Sequence, residues 1–318
     1  MAASDEHGSL TRAFSGLGVD ENALISILGK WHPEQRQSFR KGTPDFFIQD
    51  ERQFERWNDS HVLQLRQEFL RLNEAIVLWT MHPWERDARL LKESLYKGPS
   101  QYNVLVEIAA TRSAEELLGA RRAYHSLFDH SVEEAVAFQV HTPDKKLLVA
   151  LLSSYRYEGP KVNDEIAKLE AKTISNAIIK GGALVEDEEI VRILSTRSKL
   201  HLKAVYKHYK EISGNYLDED LDGVPRLKET VECLITPQTY FSKVRFNHYV
   251  LDASLRLNAD EITKDALTRV IPTRADVDMK LIKEEYHKNY GADLPKKIQD
   301  VANGNYRDFL LTLIARGD

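Results

Sequence analysis

Apolar residues recur along nearly the whole chain at intervals of three and four. Leu10, Ala13, Phe14 and Leu17 are followed by Ala23, Leu24, Ile27 and Leu28, then by Val62, Leu65, Phe69 and Leu72, and by Ala75, Ile76 and Trp79. That spacing puts the apolar side chains on one face of a helix, and it predicts a succession of amphipathic helices. No segment sustains the two-residue alternation of a half-buried strand, so no strand is expected. Trp79 and Trp84 sit in apolar helical runs and are expected in the core.

Punctuation between the runs is readable. Gly16 and Gly18 permit positive φ between the first two helices, and Asp20 can cap the second. Ser113, with Glu116 three residues on, has the capping-box pattern and predicts a helix from Ala114. Pro33, Gly42, Pro44 and Asp45 mark residues 33–58 as a longer connection, expected as a surface excursion. Gly159-Pro160-Lys161 is the clearest linker and lies at mid-chain, where one half should give way to the other.

The pattern also repeats. The stretch Ile193–Tyr209 begins Ile-Leu-Ser-Thr-Arg-Ser, and related phrases start at Ile108, at Val270 and, more eroded, at Ile27. They recur about every 80 residues, longer than the period of ordinary solenoid repeats, so each unit must hold several helices. Four units account for almost the whole chain: 8–81, 82–158, 164–238 and 240–316.

Composition narrows the possible functions. A formal charge of −5 over 318 residues gives no net attraction to nucleic acid or anionic membranes, so contact with such surfaces needs a local patch or a bridging cation. Cys233 is the only cysteine, which excludes an intrachain disulfide and a thiolate zinc cluster. The polar, acidic N-terminus lacks the pattern of a signal peptide, and a cytoplasmic protein is expected. There is no phosphate-binding Gly-rich loop, no Gly-x-Ser-x-Gly elbow and no His-Glu-x-x-His helix, so no enzyme activity is expected. Of the eleven histidines, His201 and His208 share a helical run and are read as exposed or core-edge residues rather than metal ligands.

One calcium pattern is literal. Asp218, Asp220, Asp222 and Glu229 occupy the carboxylate positions of an EF-hand loop, with Gly223 at its sixth position. The context argues against it, because Gly214-Asn215 interrupts the entering helix, Pro225 removes an amide and no partner loop exists.

Four repeats, the recurrent Thr-Arg and Phe14-Ser-Gly-Leu-Gly-Val-Asp-Glu21 together resemble the annexin family. Leu267–Tyr286 resembles its plant branch. The resemblance implies an all-α fold of four repeats with about five helices each, arranged as a slightly curved disc. It also implies calcium-dependent binding to acidic phospholipid, peripheral on membranes when calcium is raised. The implied calcium site takes the carbonyls of Phe14, Gly16 and Gly18, with a carboxylate from Glu68 at the end of the fourth helix, and Leu17 at the loop tip would touch lipid. One formal charge suggests weak affinity in water, on the order of 10⁻⁴ M or worse.

The other repeats depart from that pattern. The second has Gly98-Pro99 and Gln139, the third Gly181-Gly182, and the fourth Arg256–Asp260 with Val301 where the acid should be. Asp87, Glu107, Arg112 and Arg274 match the family's polar bore, with Asp87–Arg112 and Glu107–Arg274 as expected pairs serving mainly structure. A histidine proposed for peroxidase activity in plant members is replaced, since Lys30-Trp31 fills its positions, and Cys233 has no redox partner. Val191-Arg192-Ile193 resembles an actin-binding tripeptide. The competing expectation is a helical scaffold with decayed calcium sites that acts through F-actin or self-association. A membrane cation conductor ranks behind it.

Overall fold

Asp20 accepts a hydrogen bond from the Ala23 amide at 3.0 Å and so opens the second helix where the sequence predicts it. In the computed structural model, which describes residues 2–49, 55–153, 155–242, 255 and 261–316, the chain begins with α1 (Ala2–Ala13), α2 (Glu21–Leu28) and α3 (Pro33–Gly42). A hairpin follows, of β1 (Phe47–Gln49) and β2 (Glu55–Trp57), antiparallel with Phe47 opposite Trp57. These strands correct the expectation that the chain has no strand. At three residues each they are too short to display the alternation that betrays a strand.

Nor is the stretch a surface excursion. Phe39, Phe46 and Phe47 are buried with Leu10, Leu24 and Trp31, and Phe14 and Trp57 pack against them. The rings of Phe47 and Trp57 lie 4.3 Å apart, and Phe14 meets Phe46 and Trp57 edge-on. The Trp31 indole donates to Glu6 at 2.8 Å, which satisfies its one polar atom. Helix α4 (Asp59–Thr80) then runs 22 residues without interruption. Two helices were expected here. The segment contains neither Gly nor Pro, so nothing local ends the first one.

The middle of the chain holds α5 (Pro83–Lys97), α6 (Tyr102–Thr111), α7 (Ala114–Phe128), α8 (Val132–Gln139), α9 (Lys145–Ser153), α10 (Asp164–Lys180), α11 (Glu188–Thr196) and α12 (Lys199–Ser213). After these come α13 (Leu217–Asp220), α14 (Pro225–Ile235) and α15 (Pro237–Ser242). The capping box forms as predicted, with Ser113 accepting from the Glu116 amide and Glu116 from the Ser113 amide. Leu91, Leu105, Leu147, Leu148, Leu152 and Leu227 are fully buried among these helices. Trp84, expected in the core, is instead one of the exposed large side chains.

Last come α16 (Glu261–Arg274), α17 (Met279–Tyr290), α18 (Leu294–Val301) and α19 (Gly304–Ala315). Contacts group these with the first quarter, as a unit of Met1–Thr80 and Phe241–Asp318, and make Met81–Tyr240 the second unit. The mid-chain linker therefore does not divide the chain. Helices α9 and α11, on either side of Gly159-Pro160, pack together, and Arg156 donates to the Leu194 and Arg197 carbonyls at 2.6 and 2.5 Å. An exposed Gly-Pro signals a turn, and the apolar faces around it decide which segments pair.

His201 and His208 are buried rather than marginal. His208 bridges Asp164 at 2.8 Å and Glu211 at 3.0 Å, and these two carboxylates raise its pKa above the ordinary imidazole value. In the same unit, burial pushes the Glu229 carboxyl up to about 7 against the pull of Arg226, helped by Glu107 and Asp144. Both groups bind protons more tightly folded than unfolded. His208 stabilises the fold below the ordinary imidazole pKa and loses that contribution as pH rises through its raised value. Stability linked to Glu229 falls as pH climbs from the ordinary carboxyl range to about 7. Urea-denaturation midpoints should accordingly decline between pH 5 and 8 on the scale of these two titrations, and His208→Gln should flatten the decline.

Candidate functional site

Glu68 lies at the middle of α4 with its side chain only 4 % exposed. Its Oε2 accepts from the Gly18 amide at 2.7 Å and from Arg71 Nε at 2.6 Å, and its Oε1 accepts from the Lys264 ammonium at 3.4 Å. Arg71 reaches on to Asp265 at 3.2 Å. Helix periodicity accounts for the first pairing, since Glu68 and Arg71 are three residues apart and share a face. Tertiary packing supplies the rest, because Lys264 and Asp265 stand on α16.

The loop that meets Glu68 is shaped by its glycines. Gly16 and Gly18 adopt φ of 93° and 73°, a region costly for any residue with a Cβ. A Cβ on Gly16 would stand 2.8 Å from Asn303 Nδ2, and one on Gly18 would stand 3.0 Å from Tyr306 Cβ. Between them, the Leu17 amide donates to Val301 O at 3.0 Å, and its carbonyl accepts from the Asn303 amide at 2.7 Å. Leu17 is 3 % exposed. The expectation of a lipid-touching tip is therefore corrected: the Val301–Asn303 backbone covers Leu17. Phe14, the first expected carbonyl ligand, has its ring in the aromatic core.

Loop and distal acid thus meet across 50 residues of sequence. In kind, the donors suit a hard, oxygen-seeking cation, with a carboxylate beside loop backbone. In its present pairing, however, Glu68 faces an amide, a guanidinium and an ammonium, and a divalent cation would have to replace one of them.

The EF-hand-like residues do not converge. Asp218 accepts from the Tyr206 hydroxyl at 2.5 Å, Asp220 from Tyr209 at 2.7 Å and Asn215 at 2.9 Å, and Asp222 pairs with Lys228. Glu229 is buried in α14 and bonded to Arg226 at 2.6 Å. Residues 217–220 form a turn of helix in place of an open loop, so each carboxylate takes its own local partner. Among the described residues, no three His, Cys, Asp or Glu side chains gather to hold a metal.

Arg112 and Asp87 form a two-pronged buried pair, at 2.6 and 2.8 Å, inside the second unit. Glu107 accepts from Asn103 at 3.0 Å and Tyr240 at 3.1 Å, while Arg274 donates to Asp278 and lies over the Phe241 ring. Gly98, Gly181 and Gly182 have positive φ and open space around them. The Arg256–Asp260 loop lies outside the described residues. Val191 and Ile193 are buried in α11, and Arg192 is paired with Glu170 and Glu189, so the tripeptide offers no apolar surface.

Sequence reasoning missed Arg71, Lys264, Asn303 and Tyr306. Arg71 could have been found from its helical spacing to Glu68, but nothing local links Glu68 to residues some 200 positions later.

A plant sequence, Annexin D4 of Arabidopsis thaliana, is 54 % identical over 325 aligned residues, covering all of both chains. The chain belongs to the annexin family. The Annexin family model matches residues 170–224 and 257–313. Chicken annexin V is 25 % identical, with a TM-score of 0.67 over 98 % of this chain and 95 % of that one. A structure titled calcium-bound annexin (Sm)1 is 19 % identical, with a TM-score of 0.64 over 98 % and 90 %, a likeness of fold. The all-α fold is therefore that of the annexins, and calcium-dependent phospholipid binding is the general activity of the family. Among the described residues, no helix of this annexin is long and apolar enough to cross a membrane.

The packed glycine at the loop's second position gives a direct test. Gly18→Ala should destabilise this annexin by roughly 2–3 kcal/mol, combining positive-φ strain with crowding against Tyr306. Urea denaturation read by circular dichroism measures it.

Proposed function

We propose that this annexin binds acidic phospholipid membranes when calcium is raised, and that the cation enters between the Gly16–Gly18 loop and Glu68. The observation that supports the reading is the 2.7 Å contact between the Gly18 amide and the Glu68 carboxylate, which sets the expected distal acid beside the expected loop. Calcium takes six to eight oxygens, of which loop carbonyls and one bidentate carboxylate supply part. Water and a lipid phosphoryl oxygen complete the shell. Phosphatidylserine-type headgroups are the fitting partner for a protein of net charge −5, because the divalent ion bridges two negative surfaces. Calcium-dependent placement at membranes from the cytoplasm accords with this reading, and the calcium-bound relative supports the choice of ion.

The EF-hand-like stretch has no part in it, since its carboxylates are committed to Tyr206, Tyr209, Lys228 and Arg226. Sedimentation with phosphatidylserine vesicles over a calcium titration separates the alternatives. Glu68→Gln should raise the calcium needed for half-binding at least about tenfold, the equivalent of roughly 1.4 kcal/mol. The double variant Asp220→Asn with Asp222→Asn should bind like wild type. Wild-type protein that never sediments, at any calcium concentration, would favour a scaffold working through protein contacts such as actin or self-association.

A further inference from the structure

The cations that Glu68 faces in this structure, Arg71 and Lys264, belong to the protein itself. Lys264 is 5 % exposed, Glu68 is 4 % exposed, and the ammonium stands 3.4 Å from Oε1. The other oxygen, Oε2, already accepts two shorter bonds, from the Gly18 amide and Arg71 Nε. Oε1 is thus the more weakly held of the two, and the side on which a divalent cation would gain the carboxylate.

We propose that Lys264 is an internal counter-cation that closes the Glu68 site, so that calcium enters only by displacing the ammonium, and that this side chain sets the calcium threshold for membrane binding. The inference rests on Glu68 being the calcium carboxylate and adds what opposes the ion there. A calcium ion bound bidentately would sit about 2.3–2.6 Å from both Glu68 oxygens. An ammonium still within hydrogen-bond reach of Oε1 would then be only a few ångströms from a double positive charge. In a site this dry, that repulsion is poorly screened, so the two cations exclude each other.

Two features make the exchange mechanically reasonable. Lysine is a flexible stem ending in a point charge, so Lys264 can withdraw without moving α16. Arg71 also reaches Asp265, and that contact keeps α4 against α16 when calcium takes the Glu68 oxygens. The backbone bridge between Leu17 and Ala302 holds the same loop in place.

The test uses full-length protein and two readouts. Calcium binding is measured by equilibrium dialysis with the metal alone, and membrane binding by sedimentation with phosphatidylserine vesicles. Lys264→Met keeps the length of the side chain and removes its charge. It should lower the calcium needed for half-binding at least about fivefold in both assays, whereas Lys264→Arg, which keeps the charge, should stay within about twofold of wild type. Circular dichroism and the Tm in chelator confirm that the variants are folded, and Lys264→Met should show a lowered Tm that calcium restores.

An unchanged calcium threshold in folded Lys264→Met, or a gain that persists when Glu68→Gln is added, overturns the counter-cation. If wild type binds vesicles in a Glu68-dependent way while Lys264→Met matches it, the calcium site stands and only the lock fails. If no protein binds calcium at Glu68, both fall.

Discussion

A single buried carboxylate organises the first unit. Glu68 joins α4 to the Gly16–Gly18 loop through the Gly18 amide and to α16 through Lys264. An unpaired carboxylate at this depth would cost several kcal/mol, so the surrounding structure is obliged to supply positive partners. It does so with an amide, a guanidinium and an ammonium, drawn from segments that run from Gly18 to Lys264. The pairing of the first quarter of the chain with the last follows in part from that obligation. On the proposed reading, calcium takes Glu68 in exchange for the Lys264 ammonium that already faces it.

The second unit handles its buried charge differently. Asp87 and Arg112 satisfy each other with two hydrogen bonds, and Glu170 takes Arg197, Arg192 and His201 together. These networks are closed among side chains of the same unit. The acids of residues 218–229 are likewise committed to nearby partners, which explains how a literal EF-hand spelling can carry no EF-hand geometry. A calcium loop needs its carboxylates turned toward one empty point, and a short helix at 217–220 turns these apart.

Much of this was legible in the residues. The 3.6-residue periodicity, the Asp20 cap, the Ser113–Glu116 box and the positive-φ glycines all appear where local chemistry demands them, and the repeat of the Thr-Arg phrase led to the annexin family. The failures share a physical origin in tertiary packing. Strands of three residues leave no alternation to detect, so the hairpin that buries Phe47 against Trp57 went unseen. Leu17 reads as an exposed loop tip until the Val301–Asn303 backbone is laid across it. His208 reads as a marginal histidine until Asp164 is brought to it from 44 positions away. The same limit hid Lys264, because an ion pair across 196 positions has no local spelling.

The central claim is that Glu68 exchanges an internal ammonium for calcium. Crystals grown with calcium and measured at a wavelength where calcium scatters anomalously would address it most directly. The account predicts an anomalous peak about 2.3–2.6 Å from both Glu68 oxygens, with the Lys264 ammonium withdrawn from Oε1. A peak at the Asp218–Asp222 segment instead, or a calcium at Glu68 with Lys264 still at hydrogen-bond distance, would contradict it.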